Sequence, residues 1–351
     1  MSSLFIAIKL VYLLFFYNKR PTKNIKISDE FYSGINSEKI PFKLFAPDQP
    51  RKHSIIIYPG ASPTAEEHPG LIMLGSILSQ AGYTVFIPRI PSLKKLIIQP
   101  SIVSDFACFY SWVLKNKNIK SENLSLIGIS FGGAITLKVF TLDKFKNNLP
   151  KSIITYGTYY NFKAVLDFFS TGKILIKDEE KIITPHPWGL IVMFYNYFST
   201  IDINLNIEKI NKILSYQIKE KEDQIEKNLQ ELPQKEKDIC TKILKCKVDE
   251  ELMNYIQLMR EKNQVIFNSL SPKSWAEKIK TKTFIFHGAN DSMVPYTESI
   301  KLSKSISNSE LLISYLYEHK EVAEDKNIFI KIVELSKIVK FFYRFILYNE
   351  N

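Results

Sequence analysis

Residues 128–132 read Gly128-Ile129-Ser130-Phe131-Gly132. A serine between two glycines suits nucleophilic chemistry when it sits on a sharp turn, because glycine lets other backbone pass close by. The flanks predict that turn. Leu124-Ser125-Leu126-Ile127 reads as a strand, and Gly133 to Phe140 reads as a helix. Strand, turn and helix together lift the hydroxyl above the sheet edge. They also aim the leading N–H groups of the helix at the same spot.

A serine hydroxyl is a weak nucleophile by itself. It needs a base within hydrogen-bond reach, and the base needs an orienting group. In an open α/β sheet these groups belong beyond the C-terminal ends of strands. Two segments qualify. Thr283 to His287 is predicted as a strand that runs into Gly288-Ala289-Asn290-Asp291-Ser292-Met293-Val294-Pro295, which puts Asp291 just past its end. Leu311 to Leu316 runs into Tyr317-Glu318-His319, which puts His319 in the next loop. The order Ser130, Asp291, His319 is the one such a fold uses.

The elements that must carry these residues alternate. Ile40 to Ala46, His53 to Tyr58, Tyr83 to Pro88, residues 124–128 and Lys151 to Tyr156 read as strands. Helical spacing fills residues 66–81, which stop at Gly82, and residues 100–117. Residues 21–39 are polar and mixed and read as a lead-in without regular structure.

After Gly157 the alternation breaks. Residues 161–274 show no clear strand; they carry an aromatic stretch from Trp188 to Phe198, then charged segments with helical spacing. Examples are Ile207, Ile210, Leu214 and Ile218, or Ile239, Ile243, Leu252 and Ile256. The alternation returns with helices over 296–306 and 326–348. The expected fold class is α/β: a mostly parallel sheet flanked by helices, residues 40–160 and 275–348, with a helical cap inserted at 161–274.

Composition narrows the function classes. The chain has 351 residues and a formal net charge of +11, carried mostly by lysine. No arginine-rich cluster, zinc spacing or RNA-binding signature accompanies that charge, so a nucleic-acid partner is not expected. Cys108, Cys240 and Cys246 have no metal-ligand spacing, and three thiols do not make a disulfide framework. A secreted, disulfide-stabilised protein is therefore not expected; a cytoplasmic or membrane-associated one is.

Residues 1–20 hold an apolar run, Leu4 to Tyr17, interrupted by Lys9. It is shorter than the ~20 residues of a spanning helix. Either residues 4–17 lie in a membrane interface with Lys9 snorkelling to the headgroups, or they form a first helix packed on the protein itself.

Four pieces of the chain together resemble the α/β-hydrolase superfamily, in its dienelactone-hydrolase or esterase-like branch. They are Tyr58-Pro59-Gly60-Ala61-Ser62 after a strand, Gly128-Ile129-Ser130-Phe131-Gly132-Gly133, His287-Gly288-x-x-Asp291-x-x-Val294-Pro295, and His319. The resemblance covers about residues 50–160 and 275–345. It implies a serine hydrolase with Ser130 as nucleophile, His319 as general base and acid, and Asp291 orienting His319. It implies an oxyanion hole from the backbone N–H of Phe131 and of Ala61, with Ser62 the less favoured second donor. No metal and no organic cofactor is implied, and the expected partner is a small ester or acyl substrate. Asp167 is a fallback acid, since some relatives place the acid one strand earlier. Many relatives carry His-Gly where this chain has Pro59-Gly60.

Three further residues stand near this chemistry. His68 follows the oxyanion loop and either touches substrate or starts a helix. Arg89 ends a strand on the same rim, where it either binds a substrate carboxylate or braces a loop. Trp188 opens the aromatic stretch of the cap, which lines a pocket, dips into a bilayer or holds the cap to the core.

Overall fold

The computed structural model describes residues 2–16, 24–176, 179–316 and 328–351 of the chain. Among them, eight strands form the main sheet. They are β1 (Ile25–Ser33), β2 (Lys39–Pro47), β3 (Ser54–Tyr58), β4 (Thr84–Pro88), β5 (Leu124–Ile129) and β6 (Ser152–Tyr156), followed after the insertion by two more. A small hairpin, β7 (Lys173–Ile176) and β8 (Glu179–Ile182), lies inside the insertion. The main sheet is completed by β9 (Lys282–Gly288) and β10 (Ser309–Ser314). Strand order is β1-β2-β4-β3-β5-β6-β9-β10. The β1–β2 and β2–β4 pairs are antiparallel, and the rest are parallel.

Connection direction decides where the site lies. The chain passes from β3 to its neighbour β4, then returns past β3 to β5 on the other side. The helix after β3 (Pro69–Gln80) buries Leu71, Ile77 and Leu78 against one face of the sheet. The helix after β5 (Phe131–Val139) buries Ala134, Ile135 and Leu137 against the other. Connections that leave in opposite directions open a crevice beyond the ends of β3 and β5. Strand alternation serves both faces: Ile55 and Ile57 point to the first cluster, Ile56 and Tyr58 to the second.

Two segments differ from the sequence expectation. Residues 25–33, expected as an irregular lead-in, form β1 at the sheet edge. Lys26, Ser28, Asp29 and Glu30 give it no continuous apolar signal, because an edge strand buries little. Its anchor is Tyr32, which is buried against Phe109 and donates its hydroxyl to the Arg89 carbonyl at 2.8 Å. Residues 161–274 carry mainly helices, among them Phe162–Thr171, Pro187–Tyr197, Ile207–Ile218 and Glu250–Lys262, together with the exposed β7–β8 hairpin. Their apolar faces, including Phe194, Ile210, Leu214 and Met259, join the cluster on the β5 side of the sheet.

The N-terminal helix, Ser3–Phe16, buries Ile6, Ala7, Leu10 and Val11 in the cluster that also holds the final helix, Ile328–Glu350. Lys9 Nζ donates to the Gln80 carbonyl at 2.7 Å, at the end of the helix Pro69–Gln80, so this lysine is engaged within the protein. Leu4, Phe5, Ile8 and Tyr12 remain exposed on its outer side. Among the described residues, no helix is long and apolar enough to cross a membrane. Cys108, Cys240 and Cys246 are free thiols.

Candidate active site

Ser130 stands at the turn between β5 and its helix with φ 51° and ψ −122°. A non-glycine residue pays about 1–3 kcal/mol for such a conformation and keeps it only where the surroundings impose it. Here the Ser130 N–H donates to the Tyr156 carbonyl at 2.7 Å, and the Ser130 carbonyl accepts from Thr158 Oγ1 at 3.1 Å and Gly133 N at 3.0 Å. The turn is therefore held from the neighbouring strand β6. Gly132 allows the loop after β3 to pass: a Cβ there would lie 2.0 Å from the Pro59 carbonyl oxygen.

That loop runs directly against the serine. A Cβ on Gly60 would lie 3.4 Å from Ser130 Cβ and 3.1 Å from the Ile129 carbonyl oxygen. Ala61 follows, half-buried against the core. Phe131 opens its helix, so its N–H has no acceptor within the helix. Ser62 spends its hydroxyl on the loop itself, 2.7 Å from Thr64 Oγ1.

Asp291 lies beyond β9 and is 1% exposed. Its Oδ1 accepts from the N–H groups of Met293 at 2.7 Å and Val294 at 2.9 Å. Its Oδ2 lies 3.2 Å from His287 Nε2. The carboxylate is thus fixed by its own loop. His319 lies outside the described residues.

The other nearby residues resolve into supports. His68 Nδ1 accepts from Gly70 N at 3.1 Å and caps the helix Pro69–Gln80. Arg89 Nε donates to Glu66 Oε1 at 2.7 Å, and a second guanidinium nitrogen approaches Glu67 at 3.6 Å. Arg89 therefore braces the segment that follows the loop after β3. Asp167 sits on the cap helix Phe162–Thr171 in an ion pair with Arg260. Burial pushes its carboxyl upward and Arg260 pulls it back.

Trp188 reaches the site from the cap. Its Nε1–H donates to the Ala61 carbonyl at 3.2 Å. Two residues earlier, the His186 N–H donates to the Ser292 carbonyl at 2.9 Å. The corner that starts the helix Pro187–Tyr197 therefore touches both the loop after β3 and the loop after β9. Sequence patterning did not reveal this bridge, because its partners lie far apart in the chain. Tyr159, next to Thr158, stacks on Phe131 at 6.3 Å and donates its hydroxyl to the Leu270 carbonyl at 3.1 Å. Its burial pushes the phenol pKa well up, so it stays neutral. Among the described residues no group of three His, Cys, Asp or Glu is placed to hold a metal ion.

No protein-family model matches the sequence. No curated protein matches it either. Solved structures do. A protein from Bacteroides ovatus described as a dipeptidyl aminopeptidase IV aligns with a TM-score of 0.52 at 13% identity, over 93% of this chain and 37% of that one. Puromycin hydrolase aligns at 0.53 and 9% identity, over 94% and 40%. Carboxyl esterase 2 of the fungus Tuber melanosporum aligns at 0.53 and 11% identity, over 94% and 88%. The chain thus spans about two fifths of the first two and most of the third. Sheet order, crossover directions and these likenesses agree: the chain carries the α/β-hydrolase fold.

Proposed function

We propose that the protein is a serine hydrolase that cleaves a carboxylic ester or thioester of a small molecule. The observation that carries the reading is the strained Ser130 turn, with the Gly60 backbone packed against it. A turn of this kind presents a hydroxyl beside backbone donors, which is what acyl transfer requires.

In this mechanism Ser130 Oγ attacks the acyl carbon as His319 takes its proton. Negative charge develops on the carbonyl oxygen and is met by the N–H groups of Phe131 and Ala61. Each such donor is worth roughly 3 kcal/mol in the transition state. The bond to the alcohol or thiol breaks, and His319 returns the proton to that leaving group. Water then attacks the acyl-enzyme by the same route, releasing the acid and restoring Ser130. Asp291 orients His319 and balances its charge. An apolar acyl group is supported by Phe162 and Trp188 of the cap and by Met293 and Tyr296 after β9, which are partly buried hydrophobics packed against the core.

Intact mass after exposure to a fluorophosphonate tests the reading. One adduct on the full chain and none on Ser130→Ala is the expected result. No adduct on the folded wild type would overturn it in favour of a binding protein that keeps the fold. Turnover of amides but not esters would make it a peptidase. His319→Ala should lose ester turnover along with Ser130→Ala.

The exposed outer side of the N-terminal helix, Leu4, Phe5, Ile8 and Tyr12, supports a second proposal, contact with a membrane surface. Flotation with anionic vesicles should be lost in Phe5→Ser/Ile8→Ser. Wild type that ignores the vesicles would overturn it.

A further inference from the structure

One hydrogen-bonded chain joins the ends of β5, β6 and β9. Thr158 Oγ1–H donates to the Ser130 carbonyl at 3.1 Å. The Thr158 carbonyl accepts from Ser299 Oγ at 3.0 Å. Ser299 Oγ lies 2.6 Å from Nδ1 of His287. His287 Nε2 lies 2.9 Å from the Val294 carbonyl and 3.2 Å from Asp291 Oδ2. The chain starts on the backbone of the nucleophile and ends on Val294, in the loop that holds the Asp291 carboxylate. Its central ring, His287, is 0% exposed.

Donor and acceptor chemistry fixes its direction at the acid. A carbonyl carries no hydrogen, so Nε2 must be the protonated nitrogen; its N–H goes to Val294, with Asp291 Oδ2 beside it at 3.2 Å. Nδ1 is then bare, and the single Ser299 hydrogen is shared between it and the Thr158 carbonyl. Asp291 Oδ1 is already held by two backbone N–H groups. Val294 is one of these two donors, so the bond from His287 Nε2 to its carbonyl and the bond from its N–H to Oδ1 meet on one residue.

We propose that His287 is a positioning residue for the triad. Its Nε2–H holds the Val294 backbone, whose own N–H grips Asp291 Oδ1, and Ser299 with Thr158 ties that loop to the Ser130 turn. The inference rests on the reading of Ser130 and Asp291 as triad members. His287 touches no substrate; it acts through Asp291. A rigid carboxylate offers the imidazole it orients one fixed acceptor, which lowers the cost of reaching reactive geometry.

Two variants of the full chain separate this role from a merely structural one. His287→Gln can place an amide N–H near the position of ring Nε2, whereas His287→Asn reaches only as far as Nδ1. For a short soluble ester, His287→Asn should lose about 10- to 100-fold in kcat with KM unchanged. His287→Gln should recover most of that loss. Equal loss in both variants, following their melting temperatures, would overturn the proposal.

A second measurement does not depend on turnover. In ¹⁵N-histidine-labelled protein, Asp291→Asn should move the His287 Nε2–H resonance, and Ser130→Ala should not. An unmoved resonance in Asp291→Asn would overturn the proposal even in an active hydrolase. A moved resonance in a protein that takes up no fluorophosphonate would instead overturn the hydrolase reading and leave the hold on Asp291 standing.

Discussion

The indole N–H of Trp188 donates to the carbonyl of Ala61, so a side chain of the cap holds the loop that follows β3. The bond fixes the orientation of the loop at the point where it passes Ser130. Trp188→Phe keeps an aromatic ring and removes the donor. Its expected effect is a fall in kcat of about 3- to 10-fold, the worth of one neutral hydrogen bond. KM for a short ester should stay unchanged. Steady-state kinetics check this, and an unchanged kcat would mean that the indole only packs.

Asp291→Asn separates charge from shape. The amide oxygen can still accept from Met293 and Val294, so the loop keeps its form. The negative charge is lost, and the amide presents donors where Oδ2 stood. In a comparable triad this substitution costs about 10⁴-fold in kcat. The expected result is a loss of that order with circular dichroism unchanged.

Gly132→Ala sets two effects of opposite sign against each other. Alanine in a helix gains roughly 1 kcal/mol over glycine. The new Cβ would meet the Pro59 carbonyl oxygen at 2.0 Å, and that oxygen belongs to backbone. Overpacking of this kind costs roughly 1–3 kcal/mol, occasionally more. The clash should win. Urea denaturation should show a less stable protein, and fluorophosphonate labelling of Ser130 should be lost as the Pro59–Gly60 loop is pushed away.

His53 gives the fold a pH dependence. It is buried below β3, with Nε2 2.7 Å from Ser125 Oγ. Burial first, and Lys151 second, pull its pKa down to about 4 from 6.5. The unfolded chain therefore takes up the proton first as pH falls. This group costs nothing above pH 6.5 and destabilises progressively between there and about 4. The loss at pH 5 relative to pH 8 should be roughly 2 kcal/mol. His53→Gln should flatten that part of the urea-midpoint profile, and a profile identical to wild type would refute the assignment.

The serine turn was legible from sequence because its geometry demands particular residues. Gly128 and Gly132 face backbone atoms too close for any side chain, so their spacing around Ser130 survives as a written pattern. The buried strands were legible for a related reason: Ile55-Ile56-Ile57 is apolar on both faces because both faces are covered. β1 and the β7–β8 hairpin were not, since Lys26, Glu30, Glu179 and Glu180 sit at edges where backbone pairing suffices and burial leaves no mark. The bond from Trp188 to Ala61 and the chain through His287 depend on the register between distant segments, which local periodicity does not encode. Trp188 drew attention only as an aromatic of the cap.

Strands β6 and β9 are direct neighbours, with Ser152 beside Lys282 and Tyr156 beside Phe286, although the whole cap lies between them in the chain. Joining the ends of so long a segment adds little free energy, since each doubling of loop length costs only about 0.6 kcal/mol. The consequence is one of timing. Pairings distant in sequence form slowly, and synthesis delivers β9 only after the cap. Ser130 is therefore on the growing chain while Asp291 has yet to be made. The two come together only when the second half of the sheet docks on β6.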